Sequence, residues 1–350
     1  MSPKRHFAVA LASAALLACV NARASWIELP LPNLSQAFGS TALAHLPDGR
    51  YLFAETGNLY VQDTWGGGAY TAFSDEPVGM DPSFIAVRHA TLAALGYGGW
   101  GASAVYQFDP SLTASPGFTN VGVTLQNFHG VFRNDNSLFT GGGDTGAGGD
   151  HHGLRYLTLD GSVNKIVIDD ISVWSCGFTI DAGGDLYVGD NDDGRVYRFT
   201  LAQLDAAIAG SALAITDGEL IHDFGDGGDI GSLAVDGLGR IWAAGWQHDG
   251  LKVYNPDLDQ EFTYIPGLAN VNYKVAAFTR EGTHYVAYLN QANPYSGDTA
   301  QYYGYALASE FAIPEPSTLV LATLGLGVLL FRRAVYQVPR AFPARSLAGN

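Results

Sequence analysis

The chain of 350 residues has little cysteine and little positive charge. Its two cysteines are Cys19, in the N-terminal apolar run, and Cys176. Removal of that run leaves a single thiol, which excludes a disulfide within the chain. Residues 25–313 carry 11 basic and 33 acidic side chains, a net charge of −22. Such a surface repels phosphate backbones, so we expect no binding of nucleic acid.

No apolar run reaches the length of about 20 residues that a membrane span takes. The N-terminal run is typical of a secretory signal. A basic segment at residues 4–6 precedes fourteen mostly apolar residues, 7–20, and the small-x-small pattern of residues 22–24 follows. We predict a signal peptide at 1–24, with cleavage after residue 24. Residues 16–19 also resemble a lipobox, and the alternative is therefore a lipidated N-terminus at Cys19.

The C-terminal run is thirteen residues long, 319–331, and is followed by an arginine pair. A span of the hydrocarbon core takes about 20 residues, so this short helix is marginal as a permanent anchor. Its positive end is expected to stay on the cytoplasmic side. The characteristic residues of this tail are Pro314, Glu315, Pro316, Arg332 and Arg333.

This tail, residues 313–333, resembles the PEP-CTERM sorting signal. The resemblance implies an exosortase as processing partner, transient insertion of the tail in the inner membrane, and delivery to the cell surface or the extracellular matrix. Members of that family usually end soon after the basic cluster, whereas residues 334–350 follow here. The extension leaves two interpretations open, a tolerated tail or a reading frame that runs past its true end.

What the chain does have is glycine (44 residues) and aromatic side chains (12%), with only 15% charged residues. Glycine favours turns and aromatic side chains favour pleated surfaces, so this composition predicts a turn-rich all-β domain.

Six repeats, each of an apolar strand, a turn, a second strand, a loop and a third strand, run through this domain. The second strands are predicted to start at residues 51, 92, 138, 186, 241 and 284. Spacings of 41 to 55 residues between short strands are typical of propeller blades. We predict a six-bladed β-propeller over 25–312, flanked by the signal helix and the short C-terminal helix. The predicted blades start near residues 41, 83, 129, 177, 231 and 273.

The repeats resemble the NHL-type repeat, most closely in the fourth and fifth copies, and the resemblance implies a six-bladed propeller. Residues 26–29 are predicted to complete the last blade, which protects its edge. Residues 202–214 contain the one short helix that we expect within the domain.

Polar residues concentrate in the loops between second and third strands and in those that enter the first strands, which share one end of an antiparallel blade. Four carboxylates offer oxygen ligands for Ca²⁺ or another divalent metal, although solvated turns are the competing interpretation: Glu55, Asp190, Asp192 and Asp229. Aromatic and imidazole side chains of the same loops form a predicted ligand-binding rim, with loop packing as the competing interpretation: Tyr97, Trp100, His151, His152, Trp246 and His248.

Two functions follow as hypotheses. The first is an exported surface or matrix propeller of binding or structural type, which binds polysaccharide or divalent cations. The second is a metal-dependent, lactonase-like hydrolase, because propellers of the gluconolactonase type hold one divalent metal with a Glu, an Asn and an Asp. Asn127 and Asn272 would supply the amide. Cys176 beside His129 is either a nucleophile or a structural thiol, and catalytic residues stay unassigned because no Gly-x-Ser-x-Gly, Walker or HExxH pattern is present.

Overall fold

The computed structural model describes the repeat region in segments. They are residues 34–35, 42–55, 58–62, 70–73, 82–97, 102–125, 127, 129–143, 152–169, 171, 177–190, 194–225, 230–245, 251–264, 272–280, 283–290 and 299–307. The predicted signal peptide, sorting tail and extension lie outside these residues. Within these segments, no helix combines the length and the apolar character that a membrane crossing requires.

The described segments form 25 strands. The first two repeats contain β2 (Leu43–His45), β3 (Tyr51–Glu55), β4 (Asn58–Gln62), β5 (Tyr70–Ala72), β6 (Pro82–His89), β7 (Leu92–Tyr97), β8 (Ala102–Phe108) and β9 (Thr119–Leu125), after β1 (Leu34–Ser35). The third and fourth contain β10 (Gly130–Asn134), β11 (Ser137–Gly143), β12 (His152–Thr158), β13 (Asn164–Asp169), β14 (Phe178–Ile180), β15 (Leu186–Gly189), β16 (Arg195–Phe199), β17 (Leu213–Ala214) and β18 (Glu219–Asp223). The last two contain β19 (Ser232–Val235), β20 (Ile241–Ala244), β21 (Leu251–Asn255), β22 (Gln260–Tyr264), β23 (Asn272–Arg280), β24 (Thr283–Asn290) and β25 (Thr299–Leu307).

The six predicted repeats occupy five sheets, so the prediction of six separate blades is wrong. Four sheets have four strands each, in the orders β2-β3-β4-β5, β14-β15-β16-β18, β19-β20-β21-β22 and β1-β25-β24-β23. The second and third repeats share one nine-stranded sheet. They join because β9 pairs with β11 at a single position, Leu125 opposite Gly143.

The first strands of the repeats form a closed ring. Each of β2, β6, β10, β14 and β19 contacts the first strand of the next repeat, and β23 contacts β2. Hydrogen bonds of the backbone and of side chains connect some of these neighbouring repeats. The Gly177 N–H donates to the Ile230 carbonyl at 2.8 Å, and the Val275 N–H donates to the Ser232 hydroxyl at 3.1 Å. Both contacts join one repeat to the next.

An N-terminal strand completes the last sheet, as expected, but it comes later in the chain than predicted. β1 pairs antiparallel with β25, with Leu34 opposite Ala300 and Ser35 opposite Thr299. Residues 26–29, which were expected in this place, lie outside the described residues. The sheet therefore combines chain segments from opposite ends of the domain, which covers part of an edge.

The apolar core lies between neighbouring repeats rather than in one central layer. Side chains of the first and second repeats form one cluster, with Leu52 and Leu95 fully buried. Phe139 and Phe199 belong to the cluster between the third and fourth repeats. Where two repeats meet in these clusters, the facing sides of their sheets are buried against each other.

The predicted helix is α1 (Leu201–Ala209), which lies between β16 and β18. Thr200 caps its start with a capping box, in which its side chain accepts from Gln203 N and the Gln203 side chain accepts from Thr200 N. At the other end Lys165 Nζ donates to the carbonyls of Ala207, Ile208 and Gly210 at 2.8–2.9 Å. A cation among the last carbonyls stabilises the C-terminus of a helix.

Three repeats join their first and second strands through the same five-residue turn. The turns span residues 46–50, 181–185 and 236–240, and in each the first N–H donates to the last carbonyl at 2.8–3.0 Å. The fourth residue is a glycine with φ of 94°, 88° and 75° respectively, Gly49, Gly184 and Gly239. A residue with a Cβ is strained in this left-handed conformation, so the turn needs glycine there.

Candidate functional site at the central channel

The ring of first strands encloses a cavity of about 240 Å³. All six first strands, or the residues that enter them, contribute to its wall. We call the end at which first strands begin and second strands end the entry face, and the opposite end, where the five-residue turns lie, the turn face. The strand ends that flank the polar loops predicted to carry function belong to the entry face, because antiparallel pairing brings those chain ends together.

The wall of the channel is mainly apolar. Leu43, Val87, Val131 and Val235 are half-buried members of the wall. Their surfaces favour uncharged groups over ions, since a charge in an apolar site loses its hydration. A small number of polar side chains interrupts the wall, as in binding pockets that orient a ligand through few contacts: His45, His129, Thr179 and Ser232.

His129 lies where the chain enters β10. Its side chain is 8% exposed, and its ring meets the Phe178 ring edge-on with centroids 5.8 Å apart. Its carbonyl accepts from Gly141 N at 3.0 Å. His129 was considered as a partner of Cys176, which lies outside the described residues. His129 itself packs between the third and fourth repeats.

A buried cluster of polar groups at the entry face joins the strand ends of the second repeat through hydrogen bonds. The Ser83 hydroxyl lies 2.5 Å from the Asn127 carbonyl oxygen, 3.0 Å from the Gly96 carbonyl oxygen and 3.0 Å from Asn127 Oδ1. Asn127 is fully buried, and its Nδ2 donates to the Ala104 carbonyl at 3.4 Å. Hydrogen bonds of this kind satisfy polar groups that burial has removed from water.

The Phe84 ring occupies the space between two glycines beside this cluster. A Cβ on Gly96 would lie 2.2 Å from a Phe84 ring carbon, and a Cβ on Gly130 would lie 2.1 Å from another. The missing side chains at these positions let β7 and β10 approach the ring closely. Phe84 is 3% exposed and forms part of the channel wall.

Two of the four predicted metal ligands fall on described residues. Glu55 ends β3, with its Cα opposite that of Asn58. Asp190 follows β15, and its N–H donates to the Arg195 carbonyl at 2.7 Å. Asp192 and Asp229 lie outside the described residues. Among the side chains that the structure describes, no three His, Cys, Asp or Glu residues come together as a candidate metal site.

Two of the six predicted rim residues are likewise described. Tyr97 ends β7 opposite Pro82, and His152 starts β12 opposite Gly143. Both positions belong to the entry face, as does Asn272, which starts β23 opposite Asn290. Trp100, His151, Trp246 and His248 lie outside the described residues.

Sequence reasoning missed Ser83 and Ser232. Ser83 precedes the buried Phe84, and Ser232 precedes Leu233, so each reads as an ordinary polar residue at a strand start. Each is at most 3% exposed and bonds to the backbone of another strand or loop. A signal for this role was present in principle, since a small hydroxyl at the start of a buried strand satisfies backbone groups there.

A scan of protein-family models gives no match for the chain, and neither does a search of curated proteins. Solved structures do match. A chain of the nidogen–laminin complex is 14% identical, with a TM-score of 0.53, over 67% of this chain and 83% of that chain. The PQQ-bound aldose sugar dehydrogenase of Streptomyces coelicolor is 13% identical, with a TM-score of 0.53, over 81% and 99%.

Regucalcin of Agrobacterium tumefaciens, a calcium-binding protein, is 14% identical with a TM-score of 0.54, over 79% of this chain and 92% of that chain. Identities this low show a common fold and no more. The all-β propeller predicted from the repeats is thereby confirmed.

Proposed function

We propose that the chain is an exported propeller of binding or structural type, which an exosortase delivers to the cell surface or the extracellular matrix. There it binds polysaccharide or divalent cations through its entry face. One observation carries the choice of binding over catalysis: three buried polar side chains at the entry end of the channel are taken up by hydrogen bonds that hold strands together. Ser83, Asn127 and Ser232 all bond to backbone groups.

The acidic composition of residues 25–313 supports the same proposal. A net charge of −22 attracts cations to the domain and repels polyanions. Carboxylates such as Glu55 and Asp190 are hard oxygen ligands of the kind that Ca²⁺ prefers, and Asp192 and Asp229 would complete the set.

Export and sorting are tested on the full-length chain in a host that has an exosortase. We expect the mature protein to begin at Ser25 and to lose the tail near Pro314, as measured by the intact mass of the secreted form. Replacement of Pro314, Glu315 and Pro316 by alanine should leave the protein in the membrane fraction. An unprocessed secreted chain of full mass would contradict the sorting proposal.

Binding is tested with the mature domain on a panel of soluble polysaccharides and with Ca²⁺ alone. We expect retention in affinity electrophoresis, or a rise of the thermal midpoint with Ca²⁺. Asp190→Asn should weaken the Ca²⁺ effect, whereas Asp257→Asn should not, because exposed Asp257 lies in the turn between β21 and β22 at the turn face. No response to either ligand class would refute the proposal.

The second candidate is a metal-dependent hydrolase of lactones or surface sugars. It is consistent, at the level of the fold, with two structural neighbours, of which one is described as calcium-binding and the other as a PQQ-bound aldose sugar dehydrogenase. Elemental analysis of the purified domain, combined with an assay of lactone hydrolysis, separates the candidates. One stoichiometric divalent ion that is lost in Glu55→Gln, together with lactone hydrolysis, would favour the enzyme, and a metal-free domain inert to lactones would eliminate it.

A further inference from the structure

The outer part of the first sheet carries a cluster of three aromatic rings, Phe53, Tyr60 and Tyr70, which we call the Tyr70 platform. Phe53 lies opposite Tyr60 across β3 and β4, and Tyr70 lies diagonally beyond on the outermost strand, β5. Phe53 is fully buried, Tyr60 is half-buried and Tyr70 is 45% exposed. The cluster therefore leads from the core to the surface within one sheet.

The three rings hold one another in a defined arrangement. The rings of Phe53 and Tyr60 stack with centroids 5.4 Å apart. Tyr70 meets Tyr60 at 5.3 Å and 90°, and Phe53 at 5.8 Å and 72°. Edge-to-face contacts at these distances are attractive, so Tyr70 is supported from two sides. A supported ring loses little conformational entropy when a ligand covers it.

Tyr70 differs from the other large apolar side chains exposed in the described part of the chain. Those are aliphatic and lie apart in the sequence: Leu112, Val123, Leu201, Leu220, Leu238 and Leu258. Tyr70 alone among them brings an aromatic ring with a hydroxyl group, and the two residues that follow it on β5, Thr71 and Ala72, are exposed as well. Successive side chains of a strand point to opposite faces of its sheet, so Tyr70 and Ala72 share the face of Tyr60 and Thr71 does not. The ring and the hydroxyl that this face offers are therefore both those of Tyr70.

That combination fits a sugar ring. The C–H face of a pyranose covers an aromatic ring, while the phenol hydroxyl bonds to a sugar hydroxyl. The charge of the domain selects among glycans, because a net charge of −22 over residues 25–313 repels polyuronates and sulfated chains. An uncharged polysaccharide is the ligand that suits both features.

We propose that the Tyr70 platform is a binding site for a neutral polysaccharide, on the outer strand of the first sheet and separate from the entry face. The proposal rests on the polysaccharide-binding function proposed above, whose residues lie in the loops of the entry face. It adds a second contact by which one domain holds a long glycan chain.

The test measures the affinity of the mature domain for a neutral soluble β-glucan, by affinity electrophoresis and calorimetry, with alginate as a polyanionic comparison. We expect Tyr70→Ala to weaken binding of the β-glucan about tenfold, since the stacking partner is lost. Tyr70→Phe keeps the ring and should stay within about threefold of the parent, and Tyr70→Trp should bind at least as well. Leu220→Ala, at an outer-strand residue with 51% exposure, is the matched control and should bind unchanged.

The outcomes distinguish failure of the platform from failure of the proposed function. If the parent binds the β-glucan and Tyr70→Ala binds equally well, the platform is refuted while the general function stands. If the parent binds alginate but no neutral glycan, the ligand class assigned to the platform is wrong. If the parent binds no polysaccharide, the platform falls together with polysaccharide binding as the function. Equal thermal midpoints of the parent and Tyr70→Ala exclude misfolding as the cause of a loss.

Discussion

The turns of the fifth and first repeats share their backbone but differ in how far their ion pairs are buried. In the fifth repeat Asp236 and Arg240 form a pair with side chains 1% and 4% exposed. In the first repeat Asp48 and Arg50 form a pair with side chains 41% and 20% exposed. The same glycine-dependent turn thus holds one pair inside the protein and leaves the other in contact with water.

The buried pair is part of a larger set of hydrogen bonds. Asp236 Oδ2 accepts from Arg240 Nε at 2.7 Å and from Trp242 Nε1 at 2.8 Å, and Oδ1 accepts from the N–H groups of Leu238 and Arg240 at 2.9 and 3.0 Å. The exposed pair has two such bonds, from Arg50 N and Arg50 Nε to Asp48. Burial and the number of donors, not the turn itself, should therefore decide how much each aspartate contributes to the free energy of unfolding.

The largest effect is expected at Asp236. Asp236→Ala removes four hydrogen bonds and leaves the Arg240 guanidinium buried without this carboxylate, which should cost about 3–5 kcal/mol of unfolding free energy. Denaturant unfolding of the mature domain measures it. Asp236→Asn, which keeps the shape, serves as the companion variant. A loss below about 1 kcal/mol, the range of an exposed pair, would show that burial does not set the difference.

An intermediate effect is expected at Asp181, in the turn of the fourth repeat. Its Oδ1 accepts from Gly183 N at 2.8 Å and from Asp185 N at 3.0 Å, and the residue is half-buried. Because no arginine charge is left behind, Asp181→Ala should cost about 1–2 kcal/mol. The same unfolding experiment measures it, and a cost equal to that of Asp236→Ala would remove the role assigned to the buried charge.

A small effect with a definite pH dependence is expected at Asp48. Burial alone would raise the pKa of this carboxyl, but the hydrogen bonds and charge of Arg50 outweigh it and lower the pKa below 3.8. Its contribution, about 0–1 kcal/mol, is therefore present above the unfolded pKa and lost as the pH falls through the folded one. The stability difference between the parent and Asp48→Ala should vanish in acid, and a difference that grows there would contradict the assignment.

The smallest expected change, a local shift of one pKa, is at Asp160, in the exposed turn between β12 and β13. The Thr158 hydroxyl donates to Asp160 Oδ1 at 2.6 Å, and Ser162 donates its N–H and hydroxyl at 2.9 and 2.7 Å. These donors lower the pKa of Asp160 to about 2. Titration of the carboxyl carbon by NMR should give that value, and Thr158→Val should raise it. An unchanged pKa in Thr158→Val would show that this hydroxyl has no part in the shift.

The strands were largely predictable from the sequence. The second strands were placed at 51, 92, 138, 186, 241 and 284 and begin at Tyr51, Leu92, Ser137, Leu186, Ile241 and Thr283. Local signals suffice here, because a turn with Asp and Gly followed by alternating apolar residues is readable in a few residues. The helix at Leu201–Ala209 was predictable for the same reason.

Non-local pairings were not predictable in this way. The contact of Leu125 with Gly143 merges two repeats into one sheet, yet neither residue differs from its neighbours in any local pattern. Residues 34–35, which close the last sheet, follow Pro30 and Pro32, and prolines argue against a strand in a local pattern. The entry face was predicted as a group of polar loops. The structural role of the buried Asn127 depends on its hydrogen bonds with Ser83 and Ala104, which are 44 and 23 residues away.

The pairing of β1 with β25 has a consequence for the order of folding. Leu34 pairs with Ala300, so this pair of residues closes a loop that contains almost the entire domain. Contacts of such high sequence separation raise the contact order and slow the search for the native state. The last sheet cannot be completed until β25 has been synthesised. Until then β1 lacks the strand with which it pairs.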